Sequence, residues 1–249
     1  MKKDVLFTVP SYFRDDMDIL GYRFGKGEKS CVVLGALRGD EVQQLYVCAR
    51  LVAFLREVER DGGVQLTSFY QPGSFIPHVR MMDTGRQNPE LGCEFGLPYV
   101  YVRTPRSYDQ TTLNYVWQLS GTQAYSLYAG KTSEIDENAA EQTLRAIIRF
   151  LNSRGIIRSE TTPGHAASII TNEDMVSVSA TSAGLLRRVK FAGAHVRRGE
   201  QLAFIINPLD GSVREVLKTP ATGMLFFVQD GPFIVEHSPV FQVLSSQKG

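Results

Sequence analysis

The sequence lacks the features of several protein classes. Its 249 residues carry a formal net charge of +1, so the overall charge does not favour nucleic acid or an anionic membrane as a partner. No apolar run approaches the roughly 18 residues that a membrane-spanning helix needs. The first residues contain two lysines but no long apolar stretch, so we expect no signal peptide and a cytoplasmic location.

Signatures of common catalytic classes are also missing. The three cysteines leave an odd count and form no Cys-x-x-Cys pair, which does not indicate a disulfide framework. The sequence contains neither a Gly-x-Ser-x-Gly elbow nor a Walker loop. Hydrophobic residues make up 43% of the chain and charged residues 21%, which is typical of a soluble globular protein.

What is present is organised around one stretch, residues 31–41. An apolar run rich in β-branched residues predicts a buried strand, and Gly35 ends it. From Val42 onward the apolar residues recur at helical spacing. Glu41 therefore lies where a strand leads into a helix, which is the edge at which open α/β sheets bind ligands.

Strand and helix patterns continue through the first half of the chain. Residues 1–30 are predicted to form an edge hairpin, and residues 64–70, 99–103 and 124–128 have the patterns of strands. A helix is predicted over residues 137–152, with Asp136 as its N-cap. The order of these elements indicates an α/β domain.

The second half has a different pattern. From Ile169 onward, short strands alternate with turns at regular spacing, which predicts an all-β barrel or sandwich. A small, polar linker precedes them, and we place the domain boundary near Thr162.

Residues Gly35-Ala-Leu-Arg-Gly-Asp-Glu41 resemble the Gly-x-x-His-Gly-Asp/Asn-Glu motif of the succinylglutamate desuccinylase/aspartoacylase family. The resemblance implies a carboxypeptidase-like fold and a zinc-dependent amide hydrolase whose motif His and Glu bind the metal. Glu41 is retained here, but Arg38 replaces the histidine. A guanidinium stays protonated and has no free lone pair, so Arg38 cannot bind zinc.

Other positions of the family pattern also differ. The third zinc ligand, a histidine in the family, is replaced by Tyr70 or Phe69, and Tyr128 stands where the family's Thr-x-Glu-x-Gly pattern has its catalytic glutamate. A long substrate-binding segment of the family is missing between Glu59 and Leu66. The downstream motifs, among them Pro-His-Val-Arg and Phe-Gly-Leu-Pro, fit the family in order along nearly the whole chain.

Each candidate residue has two interpretations. Glu41 is either a metal ligand or a helix-start carboxylate favoured by the macrodipole. Arg38 either replaces the charge of the metal beside Glu41 or is an exposed turn residue. His78 is either a ligand or a loop histidine bonded to the backbone, and the latter is favoured because no cluster with zinc-like spacing surrounds it. One further group either lines a pocket for a carboxylate or phosphate or belongs to a half-solvated strand and its surroundings, and the latter is favoured: Arg80, Arg103 and Arg106 with Tyr99, Tyr101 and Tyr108.

The C-terminal strands resemble the β domain of the same family, which is itself similar to biotinyl and lipoyl carrier domains. The hairpin that would hold a Met-Lys-Met carrier lysine reads Thr219-Pro-Ala-Thr-Gly223. A carrier role is therefore not expected.

Together these observations predict a carboxypeptidase-like mixed sheet with flanking helices over residues 1–162 and a β domain over residues 163–249. The first functional hypothesis is a pseudoenzyme with a degenerate zinc site and no required cofactor. Its expected role is to bind a small carboxylate ligand, or to associate with a second copy of itself or with a paralogous chain. The alternative is an active zinc-dependent deacylase of N-acyl amino acids that uses Glu41, His78 and another oxygen ligand. The candidate pocket comprises Arg38, Glu41, Tyr70, His78, Arg80 and Tyr128.

Overall fold

The computed structural model of the protein describes residues 1–13, 15–35, 41–58, 63–66, 74–131 and 133–246. Within these ranges the α-helices are α1 (Val42–Glu57), α2 (Pro89–Cys93), α3 (Leu113–Leu119) and α4 (Glu137–Ser153). The strands are β1 (Lys2–Val9), β2 (Met17–Arg23), β3 (Ser30–Val33), β4 (Gly63–Leu66), β5 (Ser74–Met82), β6 (Tyr99–Arg103), β7 (Ser126–Lys131), β8 (Ser168–Thr171), β9 (Met175–Ser179), β10 (Gly184–Arg188), β11 (His195–Val196), β12 (Gln201–Ile206), β13 (Val213–Lys218), β14 (Gly223–Val228), β15 (Phe233–Ile234) and β16 (Pro239–Ser245).

The architecture is mixed α/β, as the sequence predicted. The largest sheet follows the order β8-β6-β5-β14-β16-β9. Strand β7 also belongs to it and pairs with the edge of β5 opposite β6. The first part of this sheet is mixed, because β5 runs parallel to β6 and antiparallel to β7. Two smaller pairs precede it in the chain, the antiparallel hairpin β1–β2 and the parallel pair β3–β4.

Helices α1 and α4 form one layer that packs against the strands. The apolar face predicted for α4 is buried, and it shares a core with Val47, Leu51 and Leu55 of α1. Asp136 caps α4 as predicted, since its carboxylate accepts the backbone N–H groups of Asn138 and Ala139.

Strand β7 leads directly into α4, and a glycine allows the close approach. Gly130 has a φ of +62°, and a Cβ there would lie 2.9 Å from the Cβ of Ala139. Only glycine suits both the left-handed backbone and this contact.

The C-terminal strands are antiparallel and form two sheets around one core. The sheet β13-β12-β10-β15 faces β9, β14 and β16 of the large sheet, and the buried side chains between them include Leu202, Ile205, Leu225 and Phe241. The similarity to biotinyl and lipoyl domains stays a prediction. The domain boundary near Thr162 also stays a prediction. The large sheet contains strands from both sides of that residue.

One local prediction was wrong in part. We placed His78 in a loop, whereas it lies within β5 and is completely buried; the predicted contact with the backbone is present. The sequence patterns assigned no element to residues 113–119, which form α3 with Thr112 as its N-cap. Among the described helices, none has the length and apolar character needed to cross a membrane.

Candidate functional site

Glu41 lies at the start of α1 and is almost completely buried, with 1% of its surface exposed. Two residues later, the Gln43 amide joins α1 to the start of α4. Its Nε2 donates to the carbonyl oxygen of Asp136 at 3.0 Å, and the Asp136 backbone N–H donates to its Oε1 at 2.9 Å. These contacts place Glu41 at the edge of the fold where β7 ends and α4 begins.

His78 lies in the middle of β5, directly opposite Tyr128 of β7. The two rings are stacked, with centroids 5.1 Å apart and planes inclined by 7°. The Nδ1 atom of His78 lies 2.9 Å from the carbonyl oxygen of Ile76. A carbonyl can only accept, so we assign the proton of the neutral ring to Nδ1.

Burial keeps the His78 ring neutral. Loss of solvation lowers the pKa of His78 well below its usual 6.5, and the nearby positive charge of Arg80 lowers it further. Among the described residues, the buried Nε2 atom of His78 has no hydrogen-bond partner. The ring is therefore an uncharged imidazole enclosed by other side chains.

Arg80 follows two residues later on the same face of β5 and is 8% exposed. Its guanidinium carbon lies 4.2 Å from the ring centroid of Tyr128, 5.5 Å from that of Tyr101 and 5.6 Å from that of Phe75. A cation that is removed from water and surrounded by ring faces gains on the order of 2 kcal/mol per favourable contact.

Strand β14 closes this group from the C-terminal half of the chain. The Phe226 ring packs 4.6 Å from the His78 ring and edge-on to Tyr101 at 5.8 Å. Phe227 packs 5.0 Å from Phe75. We call this group, which draws on four strands, the His78 cluster: Phe75, His78, Arg80, Tyr101, Tyr128, Phe226 and Phe227.

Solved structures with the same arrangement of elements were found. The product-bound ectoine utilization protein EutE (DoeB) from Ruegeria pomeroyi matches with a TM-score of 0.77 and 14% identity over 96% of this chain and 93% of that chain. The succinylglutamate desuccinylase/aspartoacylase from Rhodobacter sphaeroides matches with a TM-score of 0.75 and 15% identity, covering 97% and 94%. This chain shares the fold of succinylglutamate desuccinylase/aspartoacylase proteins.

A further match of the same kind is an aspartoacylase family protein from Mesorhizobium loti, with a TM-score of 0.73 and 14% identity over 97% of this chain and 93% of that one. No protein-family model and no curated protein sequence matches the chain. The succinylglutamate desuccinylase/aspartoacylase fold predicted from the sequence is thus confirmed by structure at low sequence identity.

The structure brings together three of the six predicted pocket residues. Tyr128 contacts both His78 and Arg80, and Glu41 lies at the edge where β7 ends. Arg38 and Tyr70 lie outside the described residues, so their predicted roles stay predictions.

Sequence reasoning missed several members of the cluster. Tyr101 was considered as lining a pocket with Arg80, but we favoured a half-solvated strand for residues 99–103, which was wrong because Val100 and Tyr101 are both buried. The alternation of tyrosine and valine there was the available signal. The sequence around Phe226 carried no signal for its contact with His78, since the two residues are far apart in the chain.

The His78 cluster does not fit a zinc ion. Zinc sites use three or four nitrogen, sulfur or oxygen ligands, and the cluster offers one imidazole beside a buried guanidinium that would repel a second cation. Across the described ranges, no group of three His, Cys, Asp or Glu side chains is close enough to share a metal. The cluster is suited to holding β5, β6, β7 and β14 together.

Proposed function

We propose that this chain uses the succinylglutamate desuccinylase/aspartoacylase fold for binding rather than for zinc-dependent amide hydrolysis. The observation that supports the proposal most strongly is the environment of Tyr128. Its ring stacks on the His78 imidazole and lies 4.2 Å from the guanidinium carbon of Arg80. By resemblance, this is the position of the family's catalytic glutamate.

The chemistry of these side chains supports the same conclusion. General-base activation of a water needs a group with a suitable basicity and access to that water. Tyr128 is buried and its phenol is a poor base compared with a carboxylate.

One observation favours the alternative, an active deacylase. Glu41 is buried at the strand-to-helix junction, and the resemblance assigns this residue to the metal. A buried carboxylate at such an edge is costly unless a partner compensates for it. A metal ion is one such partner, and another cation is a second.

Metal analysis and a hydrolysis assay together separate the two functions. The protein would be purified without chelator, its zinc content measured by mass spectrometry, and amine release from N-succinylglutamate and N-acetylaspartate followed before and after zinc addition. We expect substoichiometric zinc and no hydrolysis above buffer. One tightly bound zinc per chain with amine release would refute the proposal.

A pair of matched variants makes the assay specific. Glu41→Gln removes the candidate ligand, and Glu57→Gln makes the same change at the exposed end of α1. For a binding protein, neither change alters zinc content or hydrolysis. Loss of zinc in Glu41→Gln alone would establish the metal site and the alternative function.

A further inference from the structure

Among the strands that the structure describes, β3 and β7 each have one edge that pairs with no other described strand. Within the described ranges, β3 pairs with β4 only, and β7 pairs with β5 only. An unpaired strand edge presents a row of backbone N–H and C=O groups that another extended chain can pair with. The open edge of β7 is the one away from β5, so it is separate from the pairing that forms the His78 cluster.

The two strands run in the same direction on a common layer. At the start of β3, the Lys29 ammonium donates to the Arg154 carbonyl at the end of α4, at 3.2 Å. Beyond the end of β3, at the start of α1, the Gln43 amide forms hydrogen bonds with the Asp136 backbone at the beginning of α4. Because α4 runs back along β7, the end of α4 lies near the start of β7. The start of β3, which contacts the end of α4, therefore also lies near the start of β7.

The same helices pack beneath both strands. Cys31 and Val33 of β3 and Leu127 of β7 all pack against the core formed by α1 and α4. The two strands are therefore neighbours in one layer, and a space separates them.

That space is a cleft of about 710 Å³, lined by both strands and by α1, α3 and α4. Its lower wall is apolar, with Val47, Ile147 and Leu151, and its lining also includes the amides of Gln44 and Asn114. The buried Oε1 atom of Gln44 has no hydrogen-bond partner in the part of the chain that the structure describes. A buried acceptor without a partner favours a bound molecule that donates a hydrogen bond to it.

We propose that an extended peptide segment of another protein binds in this cleft as a strand between β3 and β7. Strand addition satisfies backbone groups on two facing edges at once. A compact small molecule presents no such row of alternating donors and acceptors. The volume lies in the range of ligand sites, and a strand of five residues is about 17 Å long, comparable to β3 and β7.

Two features define the chemistry of the peptide. The apolar wall favours small β-branched side chains on alternate residues, which suit a half-buried strand. The exposed cations Lys29 and Arg154 lie at the end of the cleft where β3 begins, and Arg154 also pairs with the Glu94 carboxylate at 3.4 Å. They favour the carboxyl end of the peptide there, which would make it antiparallel to both strands. This proposal is independent of whether the chain hydrolyses amides.

The test uses a short synthetic peptide of alternating threonine and valine, with a fluorophore on its amino end and a free carboxylate. Fluorescence anisotropy with the full chain is expected to show saturable binding. A control peptide has the same side chains but N-methyl groups on alternate backbone nitrogens. It should bind on the order of tenfold more weakly or worse, since strand hydrogen bonds are lost. Equal binding of both peptides would refute strand addition.

Two variants locate the site. Thr143→Trp places a large ring in the cleft from α4, and Gln142→Trp places the same ring on the neighbouring exposed position. Binding should be lost in the first variant and kept in the second. Loss in both, or in neither, would contradict the assignment, provided that circular dichroism shows both variants to be folded.

Cysteine reactivity gives a readout that does not depend on the fluorophore. Cys31 and Cys48 line the cleft, whereas Cys93 does not. The peptide should slow iodoacetamide labelling of Cys31 and Cys48, measured by peptide mass spectrometry, and leave Cys93 unchanged. Burial raises the pKa of Cys31 to about 11 and that of Cys48 to about 12, so slow labelling of both thiols is expected in the free chain and the test is the change that the peptide causes. No such change at a saturating peptide concentration would overturn the proposal.

Discussion

The His78 cluster and the junction between α1 and α4 bury polar side chains in opposite ways. At the junction, the Gln43 amide is satisfied by two backbone groups of Asp136, whose carboxylate in turn caps α4. In the cluster, His78 and Arg80 are enclosed by aromatic rings. The junction therefore depends on hydrogen-bond direction, and the cluster depends on ring packing and on the protonation state of one histidine.

This difference determines how each region responds to change. Replacing a hydrogen-bonded group leaves a buried polar partner unsatisfied, which costs about 1–3 kcal/mol. Removing a large ring from a packed interior costs more, because a cavity remains. The cluster is accordingly the region where single substitutions should have the largest effects on stability.

The largest effect is expected for Phe226→Ala, which removes the ring that closes the cluster from β14. Phe226 is completely buried, and such truncations reduce the free energy of unfolding by about 3–5 kcal/mol. Urea denaturation would measure the change. Phe233→Ala, at a position that is 76% exposed, should change it by less than about 0.5 kcal/mol. Similar values for both variants would show that the cluster does not hold the sheet together.

The second effect is a loss of stability in mild acid. Because the pKa of His78 is lowered in the folded state, the unfolded chain takes up this proton first as the pH falls. The stability contributed by the neutral ring is present above about pH 6.5 and decreases below it by about 1.4 kcal/mol per pH unit. Denaturation at pH 7 and pH 5 should therefore differ by about 2 kcal/mol.

The His78→Phe variant isolates this contribution. The groups that face His78 are Phe75 and Arg80 from β5 itself, Tyr101 from β6, Tyr128 from β7 and Phe226 from β14. Arg80 alone among them is charged in this pH range. His78→Phe should flatten the slope between pH 7 and pH 5 whatever its absolute stability. An unchanged slope would assign the acid sensitivity to other groups.

A smaller effect is expected for Asp136→Ala at the junction. The substitution removes the two capping hydrogen bonds to Asn138 and Ala139, which reduces the free energy of unfolding by about 1 kcal/mol. Asp136→Asn keeps a capping oxygen and should retain most of the stability. If both variants lose the same amount in thermal denaturation, the charge of the carboxylate matters more than its hydrogen bonds.

The same contrast explains what the sequence could and could not predict. Helix α4 was predicted with its cap and its buried face, because Asp136 and the apolar spacing are local signals. The seven residues of α3 are too few for a clear helical period. The strand environment of His78 depends on pairing with both β6 and β7, which no local pattern encodes.

The candidate site was predicted in the same partial way. His78, Arg80 and Tyr128 were singled out by their position in a family pattern, and the structure places Tyr128 in contact with both of the others. Tyr101 and Phe226 complete the cluster through contacts between distant strands. Gln43 joins two helix starts through backbone groups of a residue 93 positions away, and a single glutamine carries no signal for such a contact.

The smallest effect is expected for Tyr128→Phe. The contacts of Tyr128 with His78 and Arg80 use the face of its ring, and phenylalanine keeps that face with a slightly weaker attraction for a cation. The free energy of unfolding should change by about 0.5 kcal/mol or less, whereas Tyr128→Ala should cost several times more, about 3 kcal/mol. Urea denaturation of the two variants tests whether the ring or the hydroxyl is the important part. A loss above about 2 kcal/mol in Tyr128→Phe would mean that the hydroxyl itself makes a buried hydrogen bond, and a role for Tyr128 in proton transfer would then need to be tested directly.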